Sequence, residues 1–197
     1  MGESPPPDTV TCAQVHGNGV LCLAGDPPAL SGTEGDAIVT AVPGACVGVR
    51  TADCLPILMH GPGGRVVAAV HAGWRGTVAG VATATVALLA QRYDLTPAEL
   101  TVRFGPCIRP CCYQVGGELI GAVRESFPRW ANQVLRERPG GTYFDLAGLN
   151  RLQLEAIGVR TIHDDGACTG CRPDEFESYR RDGRSSGRMV SWVRAAS

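Results

Sequence analysis

Residues 55–72, LPILMHGPGGRVVAAVHA, contain the pattern that decides the fold. Leu55 to Met59 is a short apolar run, and Arg65 to Val70 is an unbroken run of small and β-branched residues, typical of a strand buried on both faces. Between them, the glycines and proline of residues 61–64 favour a tight turn. The stretch therefore predicts a β-hairpin that belongs to a central sheet.

Strand and helix patterns alternate irregularly on both sides of this hairpin. Thr77 to Tyr93 predicts a largely buried helix, because valines and leucines recur among alanines with Gly80 as its only glycine. Other apolar runs predict strands at residues 9–15, 19–23, 37–40, 46–50, 101–104, 159–163 and 189–193, and amphipathic helices at 117–127 and 146–157. Because hairpins occur beside crossovers, we expect an α+β fold: a layered, mixed β-sheet core flanked by helices.

Length and composition indicate one domain over residues 1–197. The chain has 44% hydrophobic residues, enough to bury a core, whereas the proline-rich residues 1–8 are expected to be disordered. A net charge of -1 gives no broad electrostatic footprint for nucleic acid or an anionic membrane. No run of ~18 apolar residues could span a bilayer, and the first residues do not resemble a signal peptide, so we expect a cytoplasmic protein.

The basic residues restrict the possible chemistry. All 18 are arginine, which excludes a Schiff-base lysine and a lysine-based phosphate loop. Any bound phosphate must therefore be held by arginine or by backbone N–H groups. The number of cysteines, nine, is odd, and the first residues do not resemble an export signal. Both observations favour core thiols, a metal site or a nucleophile over disulfides.

The strongest candidate for a site combines a thiol with imidazoles. Cys54 and His71 each stand at the end of a buried strand, and these residue types form both zinc sites and Cys-His catalytic pairs. His16 ends another predicted strand. Two imidazoles and one thiolate make a three-ligand zinc shell with an open fourth position, as in catalytic zinc sites.

A rival metal site combines Cys168 and Cys171, spaced Cys-x-x-Cys, with the adjacent Cys111 and Cys112. Adjacent cysteines rarely bind one small ion together, and a single Cys-x-x-Cys is weak evidence for a metal or redox centre. The alternative is that these are ordinary cysteines of turns and core.

Arg75 is a candidate for binding an anion. It stands at a predicted strand-to-helix junction, where free N–H groups and the helix dipole favour phosphate or carboxylate. The alternative is a surface arginine, either solvated or paired with Asp53 or Asp36.

Several segments together resemble the YfiH-type family, first described as polyphenol oxidoreductases (laccases) and later as purine nucleoside phosphorylases. The most distinctive is His71-Ala72-Gly73-Trp74-Arg75-Gly76. The other matching segments, in the same order as in the family, are QVHG at 14–17, GDA at 35–37, TADCLP at 51–56, GPCI at 105–108, CYQVG at 112–116, CT at 168–169 and SYRRD at 178–182. The resemblance covers nearly the whole chain.

The resemblance implies a metal site, an activity and a fold. In the family the matching residues bind zinc, which implies that His16, Cys54 and His71 do so here. Members are described as phosphorolysing adenosine, inosine, guanosine and methylthioadenosine and as deaminating adenosine, so purine nucleosides and phosphate are the expected partners. The family fold is the layered α+β arrangement shared with certain toxin cysteine-histidine hydrolases.

Residue roles follow from this chemistry as hypotheses. Asp53 and Arg75 are expected to handle protons or stabilise an oxyanion beside Cys54 and His71. The candidate contacts for substrate or phosphate are Gln14, Arg75 and Arg180.

Two other functions stay open. One is a copper-dependent, laccase-like oxidoreductase, although a single three-ligand site lacks the several coppers that four-electron oxygen reduction needs. The other is a zinc-binding protein without enzymatic activity. Family members carry a longer segment ahead of the motif that contains His16, so we expect part of the pocket wall to be absent or to come from self-association.

Overall fold

The predicted hairpin lies at the centre of the main sheet in the computed structural model, which describes residues 4–25, 30 and 32–197. The strands are β1 (Val20–Leu23), β2 (Ala37–Thr40), β3 (Cys46–Thr51), β4 (Leu55–His60), β5 (Val67–Ala72), β6 (Thr101–Phe104), β7 (Gln114–Val115), β8 (Leu135–Arg138), β9 (Gly141–Phe144), β10 (Thr161–Asp164) and β11 (Met189–Arg194). The helices are α1 (Trp74–Val78), α2 (Val81–Tyr93), α3 (Gly117–Ser126), α4 (Ala131–Val134), α5 (Leu146–Ala156) and α6 (Tyr179–Asp182).

The main sheet has six strands in the order β1-β2-β5-β4-β6-β10. The pairs β1-β2 and β6-β10 are parallel, and the pairs between them are antiparallel. Strands β3 and β11 form a separate antiparallel ribbon, and β7, β9 and β8 form a small third sheet. Parallel and antiparallel pairs thus share one sheet, which confirms the predicted mixed α+β architecture.

The central strand β5 separates two hydrophobic clusters because its side chains alternate between the faces of the sheet. Ala68 and Val70 join the cluster that includes residues of α2 and α5, whereas Val67 and Ala69 join the cluster that includes residues of β3. All six residues of β5 are buried, which confirms a strand covered on both faces. Helices therefore cover one face of the sheet, and the β3-β11 ribbon covers the other.

The predicted helix over Thr77 to Tyr93 is two helices. Gly80 has a φ of 77°, in the left-handed region that favours glycine, and it separates α1 from α2. Helix α1 begins at Trp74, one residue after Gly73. The end of β5 consequently leads directly into a helix, and this junction carries the HAGWRG motif.

Two other predictions differ from the structure. Residues 9–15 are not a strand, since Val10 and Ala13 make only isolated parallel bridges to Val47 and Glu34. The β8-β9 hairpin was not predicted, because the last three residues of β8 are all charged and exposed and therefore show no apolar alternation.

Two predictions fall partly outside the described residues. One is disorder over residues 1–8, of which residues 1–3 are not described; within the described part, Asp8 forms an ion pair of 3.2 Å with Arg194. The other is the loop that the prolines, glycines and serine of residues 25–35 predict between β1 and β2, of which residues 26–29 and 31 are not described. Among the helices that the structure describes, none is both long enough and apolar enough to cross a membrane.

Candidate metal centre and pocket

The three predicted zinc ligands converge. The metal-binding atoms of His16, Cys54 and His71 all lie within 4.8 Å of one another. The two imidazole rings meet edge to face, with their centroids 4.8 Å apart. His71 is buried, Cys54 is half-buried and His16 is exposed, so the cluster is open on the side of His16.

The register of the central hairpin brings Cys54 beside the end of β5. Leu55 pairs with Ala72, which places the turn before β4 next to the residues that follow β5. A Cβ atom at Gly73 would lie 3.0 Å from Cδ2 of His16 and 3.1 Å from Sγ of Cys54. Glycine at this position therefore allows the three ligands to approach each other.

A buried carboxylate, Asp36, orients two of the ligands. Its Oδ1 lies 2.7 Å from Nδ1 of His71 and accepts a hydrogen bond of 2.9 Å from the main-chain N–H of His16. Its Oδ2 accepts one of 2.7 Å from the N–H of Gly17. Burial alone would raise the pKa of Asp36, but the hydrogen bonds from His71 and Gly17 outweigh burial and lower it.

Asp36 leaves Nε2 of His71 as the ring nitrogen available to a metal, the usual carboxylate–histidine arrangement of zinc sites. His16 has a φ of 62°, a left-handed conformation that the contacts of Asp36 with its backbone hold in place. The sequence predicts Asp36 only as a partner for Arg75 and as part of the family-like segment at 35–37. The sequence did contain a signal for the role of Asp36, because a charged residue stands directly before the apolar run that forms β2, and all four residues of β2 are buried.

The electrostatics of the cluster favour a thiolate. Burial would raise the pKa of Cys54, but hydrogen bonds from His16 and His71 outweigh burial and lower it to about 7. Burial would lower the pKa of His71, yet its hydrogen bonds with Asp36 and Cys54 raise it to about 9. A thiolate with two imidazoles and an oriented second nitrogen fits the donor preferences of zinc.

The cluster opens into a cavity of about 780 Å³ whose lining is rich in arginine. Among the described lining residues, Asp53 is the only carboxylate, against four arginines: Arg50, Arg75, Arg180 and Arg188. Such an excess of guanidinium groups favours an anionic ligand.

Three of these arginines stack on the three large aromatic side chains of the cavity lining. Arg75 lies 4.2 Å from the ring centroid of Trp74, Arg180 lies 5.4 Å from that of Tyr113, and Arg188 lies 5.7 Å from that of Tyr179. Stacking restrains each guanidinium while leaving its edge free for hydrogen bonds. Tyr113, Tyr179 and Arg188 were not predicted as pocket residues, although Tyr113 and Tyr179 lie in the family-like segments at 112–116 and 178–182.

Arg75 has a different partner from those considered in the sequence analysis. Its guanidinium donates a hydrogen bond of 2.8 Å to Oε1 of Glu118, and the two side chains are 58% and 72% exposed. Neither Asp53 nor Asp36 pairs with Arg75 in this arrangement, because both of their carboxylates accept hydrogen bonds elsewhere.

Hydrogen bonds hold Asp53 and Gln14 at the edge of the cavity. Asp53 has a φ of 87°; its Oδ1 accepts a hydrogen bond of 2.6 Å from the hydroxyl of Thr169, and its Oδ2 accepts one of 2.6 Å from the N–H of Arg180. The amide of Gln14 donates to and accepts from the main chain of Arg50, both at 2.8 Å. The predicted roles of Asp53, Gln14 and Arg180 in catalysis or binding stay predictions.

Comparison with known proteins identifies the family of the chain. Residues 2–196 match a family model described as "Multi-copper polyphenol oxidoreductase laccase". Purine nucleoside phosphorylase YlmD from Geobacillus stearothermophilus is 36% identical over 199 residues, covering 93% of this chain and 71% of the relative. Purine nucleoside phosphorylase YfiH from Escherichia coli (strain K12) is 38% identical over 191 residues, covering 95% of this chain and 74% of the relative.

A solved structure supports the same relationship. The crystal structure of YlmD from Geobacillus stearothermophilus matches with a TM-score of 0.88 at 34% sequence identity, and the match covers 96% of this chain and 74% of that one. Fold and sequence agree along nearly the whole chain, which confirms the predicted resemblance. The chain belongs to the YfiH-type family, which its family model describes as multi-copper polyphenol oxidoreductase laccase.

Proposed function

We propose that this protein is a zinc-dependent purine nucleoside phosphorylase that acts on adenosine, inosine, guanosine and methylthioadenosine and also deaminates adenosine. The observation that carries the proposal is the His16, Cys54 and His71 cluster at the base of an arginine-lined cavity. The names of the relatives supply the reaction class. The aromatic side chains of the cavity supply surfaces on which a purine can stack.

The metal in this proposal is held by Nε2 of His71, by the thiolate of Cys54 and by a ring nitrogen of His16. When bound, zinc acts as a Lewis acid and lowers the pKa of a coordinated water molecule. Asp36 fixes the tautomer and direction of His71, and Gly73 leaves space for all three ligands.

Phosphorolysis breaks the bond between the ribose C1′ and the purine nitrogen and forms a bond from C1′ to a phosphate oxygen. In our proposal Arg75 and Arg180 hold the phosphate dianion, and their fixed positive charge orients it toward C1′. Asp53 is the candidate for proton handling at the departing base, because it is the one carboxylate among the described lining residues. Its hydrogen bond from the N–H of Arg180 couples it to the phosphate side of the cavity.

The decisive experiment incubates purified, metal-analysed protein with inosine in the presence and absence of phosphate. We expect hypoxanthine and ribose 1-phosphate only when phosphate is present. The Cys54→Ser variant should lose the zinc of this cluster and turnover together, whereas Cys22→Ser should keep both, because Cys22 lies outside the cluster. Adenosine should give inosine as well as adenine.

Other outcomes would contradict the proposal. Hypoxanthine released without phosphate would indicate a hydrolase, and phenol oxidation that requires added copper would indicate the laccase-like alternative. Full zinc content without turnover of any nucleoside would indicate a binding protein. Unchanged metal content and turnover in Cys54→Ser would overturn the ligand assignment.

The role of Arg75 has its own test. Arg75→Ala should raise the KM for phosphate by roughly tenfold with little change in the KM for inosine, since a hydrogen bond to a charged group contributes about 1.5–3 kcal/mol and Arg75 is partly solvated. Glu118→Gln is the matched control, because it removes the partner of Arg75 but keeps the guanidinium. Equal increases in the KM for phosphate and the KM for inosine would show that Arg75 maintains the shape of the pocket and does not bind phosphate specifically.

A further inference from the structure

Four cysteines that the proposed function does not use lie together on two neighbouring turns. We propose that Cys111, Cys112, Cys168 and Cys171 form a second, structural metal site that holds one zinc ion through four thiolates. Their sulfur atoms all lie within 4.8 Å of one another. The site is separate from the His16, Cys54 and His71 cluster and shares no ligand with it.

The distances between the sulfur atoms match a shared ion. Sγ of Cys111 lies 3.4 Å from Sγ of Cys168 and 3.4 Å from Sγ of Cys171, and Sγ of Cys112 lies 3.3 Å from Sγ of Cys171. Zinc–sulfur bonds of about 2.3 Å in a tetrahedron place the sulfurs about 3.8 Å apart. Sulfurs in a disulfide are about 2.05 Å apart, so the observed distances lie much closer to those of a four-thiolate site.

Hydrogen bonds to main-chain carbonyl groups hold the two turns together without a metal ion. Cys107 and Cys168 form a parallel bridge in which the N–H of Thr169 donates a hydrogen bond of 3.1 Å to the carbonyl of Cys107. Arg109 donates from Nε to the carbonyl of Ala167 at 3.2 Å. Because both turns are fixed in this way, their cysteines are presented to each other at low entropic cost.

Gly170, between the two cysteines of the Cys-x-x-Cys turn, allows this approach. A Cβ atom at Gly170 would lie 2.9 Å from Cβ and 3.0 Å from Sγ of Cys112. A side chain there would push Cys112 away from Cys171. The close approach at Gly170 also explains how Cys111 and Cys112 can both lie near the other two cysteines, although adjacent cysteines are an unusual pair of ligands.

The position of the cluster indicates what the ion would stabilise. Tyr113 follows Cys112 and lines the cavity, and Thr169 follows Cys168 and donates its hydroxyl to Asp53 at 2.6 Å. Four protein ligands leave no open position, which is the mark of a structural zinc site. The ion therefore joins the two turns that form this wall of the cavity.

Metal stoichiometry tests the site without any substrate. After purification in the presence of zinc and desalting, the unmodified chain should carry two zinc ions, and Cys54→Ser and Cys171→Ser should each carry one. Cys22→Ser, outside both clusters, should keep two. Cobalt loaded into Cys54→Ser should give intense sulfur-to-metal charge-transfer absorption that is lost when Cys171→Ser is added. Equal zinc content in Cys171→Ser and the unmodified chain, or iron in the four-cysteine site, would overturn the proposal.

Alkylation of the unmodified chain provides a test that needs no variant. Cys111 and Cys171 are exposed. We expect them to resist iodoacetamide in the zinc-loaded protein and to react after a chelator is added without a reductant. Reaction before chelation would show that no metal protects them, and reaction only after reduction would show disulfides; either result would overturn the proposal. None of these measurements depends on nucleoside turnover, so failure of the proposed function would leave this inference standing.

Discussion

At the scale of single residues, Asp36 is the carboxylate that contacts two members of the candidate metal centre. It is fully buried, and its Oδ1 contacts His71 through the ring and His16 through the backbone. A buried carboxylate is stable only when such partners compensate for its lost hydration. Four hydrogen bonds stabilise Asp36, and two of them, from the N–H of His16 and with Nδ1 of His71, also orient these residues.

Asp36→Asn should weaken zinc binding by roughly 10-fold to 100-fold, as changes to residues that orient metal ligands typically do. The amide keeps one acceptor oxygen but has no second acceptor for the N–H of Gly17, and it removes the negative charge beside His71. Competition with a fluorescent chelator measures the change in Kd. Asp8→Asn is the control, since Asp8 forms an exposed pair with Arg194. Equal zinc affinity in Asp36→Asn and the unmodified chain would show that Asp36 does not orient the ligands.

At the scale of secondary-structure elements, the junction from β5 to α1 and α2 positions the site. A Cβ at Gly76 would lie 2.7 Å from the carbonyl oxygen of Gly17, so α1 packs directly against the loop that carries His16. The side chain of Asn18 donates a hydrogen bond of 2.9 Å to the carbonyl of Ala79 at the end of α1. A continuous helix in place of α1 and α2 would lose this contact.

Gly80→Ala should lower the free energy of unfolding by about 1–2 kcal/mol, because the left-handed conformation is less favourable for alanine by about that amount. A Cβ at Gly80 would also lie 2.9 Å from Oγ1 of Thr83. Urea unfolding followed by tryptophan fluorescence gives the free energy of unfolding. The matched control is Gly121→Ala in α3, where a Cβ meets no atom within 4 Å and stability should rise by about 0.5–1 kcal/mol. If both variants shifted stability in the same direction, the conformation of Gly80 would not be the reason α1 and α2 are separate.

At the scale of the whole molecule, the candidate metal centre brings together three segments that are far apart in the chain. His16 belongs to the loop before β1, Cys54 to the turn before β4, and His71 to the end of β5. Binding energy for the metal is therefore also folding energy, since the unfolded chain does not present these ligands together.

Free zinc at about 1,000 times its Kd should stabilise the folded chain by about 4 kcal/mol, which corresponds to a rise in Tm on the order of 10 °C. Differential scanning calorimetry on chelator-treated and zinc-loaded protein measures the shift. Cys54→Ser should show a smaller shift than the unmodified chain, and Cys22→Ser should show the full one. Equal shifts in Cys54→Ser and the unmodified chain would mean that His16, Cys54 and His71 do not bind the ion.

The main features of the fold could be predicted from local patterns. The runs at residues 55–59 and 65–70 predicted the central hairpin, which the structure contains with Ile57 opposite Val70. The division of the helix at Gly80 and the β8-β9 hairpin were missed. A single glycine inside an apolar periodic run does not reveal its φ, and the charged residues of β8 show no alternation.

The sequence by itself determined the chemical types available at the site: arginine, with no lysine, for anions, and cysteine and histidine as candidate metal ligands. Only the tertiary structure decided which of these groups meet. The strand register and the connections between strands bring Asp36 into contact with His71 and place Arg188 in the lining of the cavity. Residue type is a local property, whereas a distance between side chains far apart in the chain depends on how the whole sheet pairs.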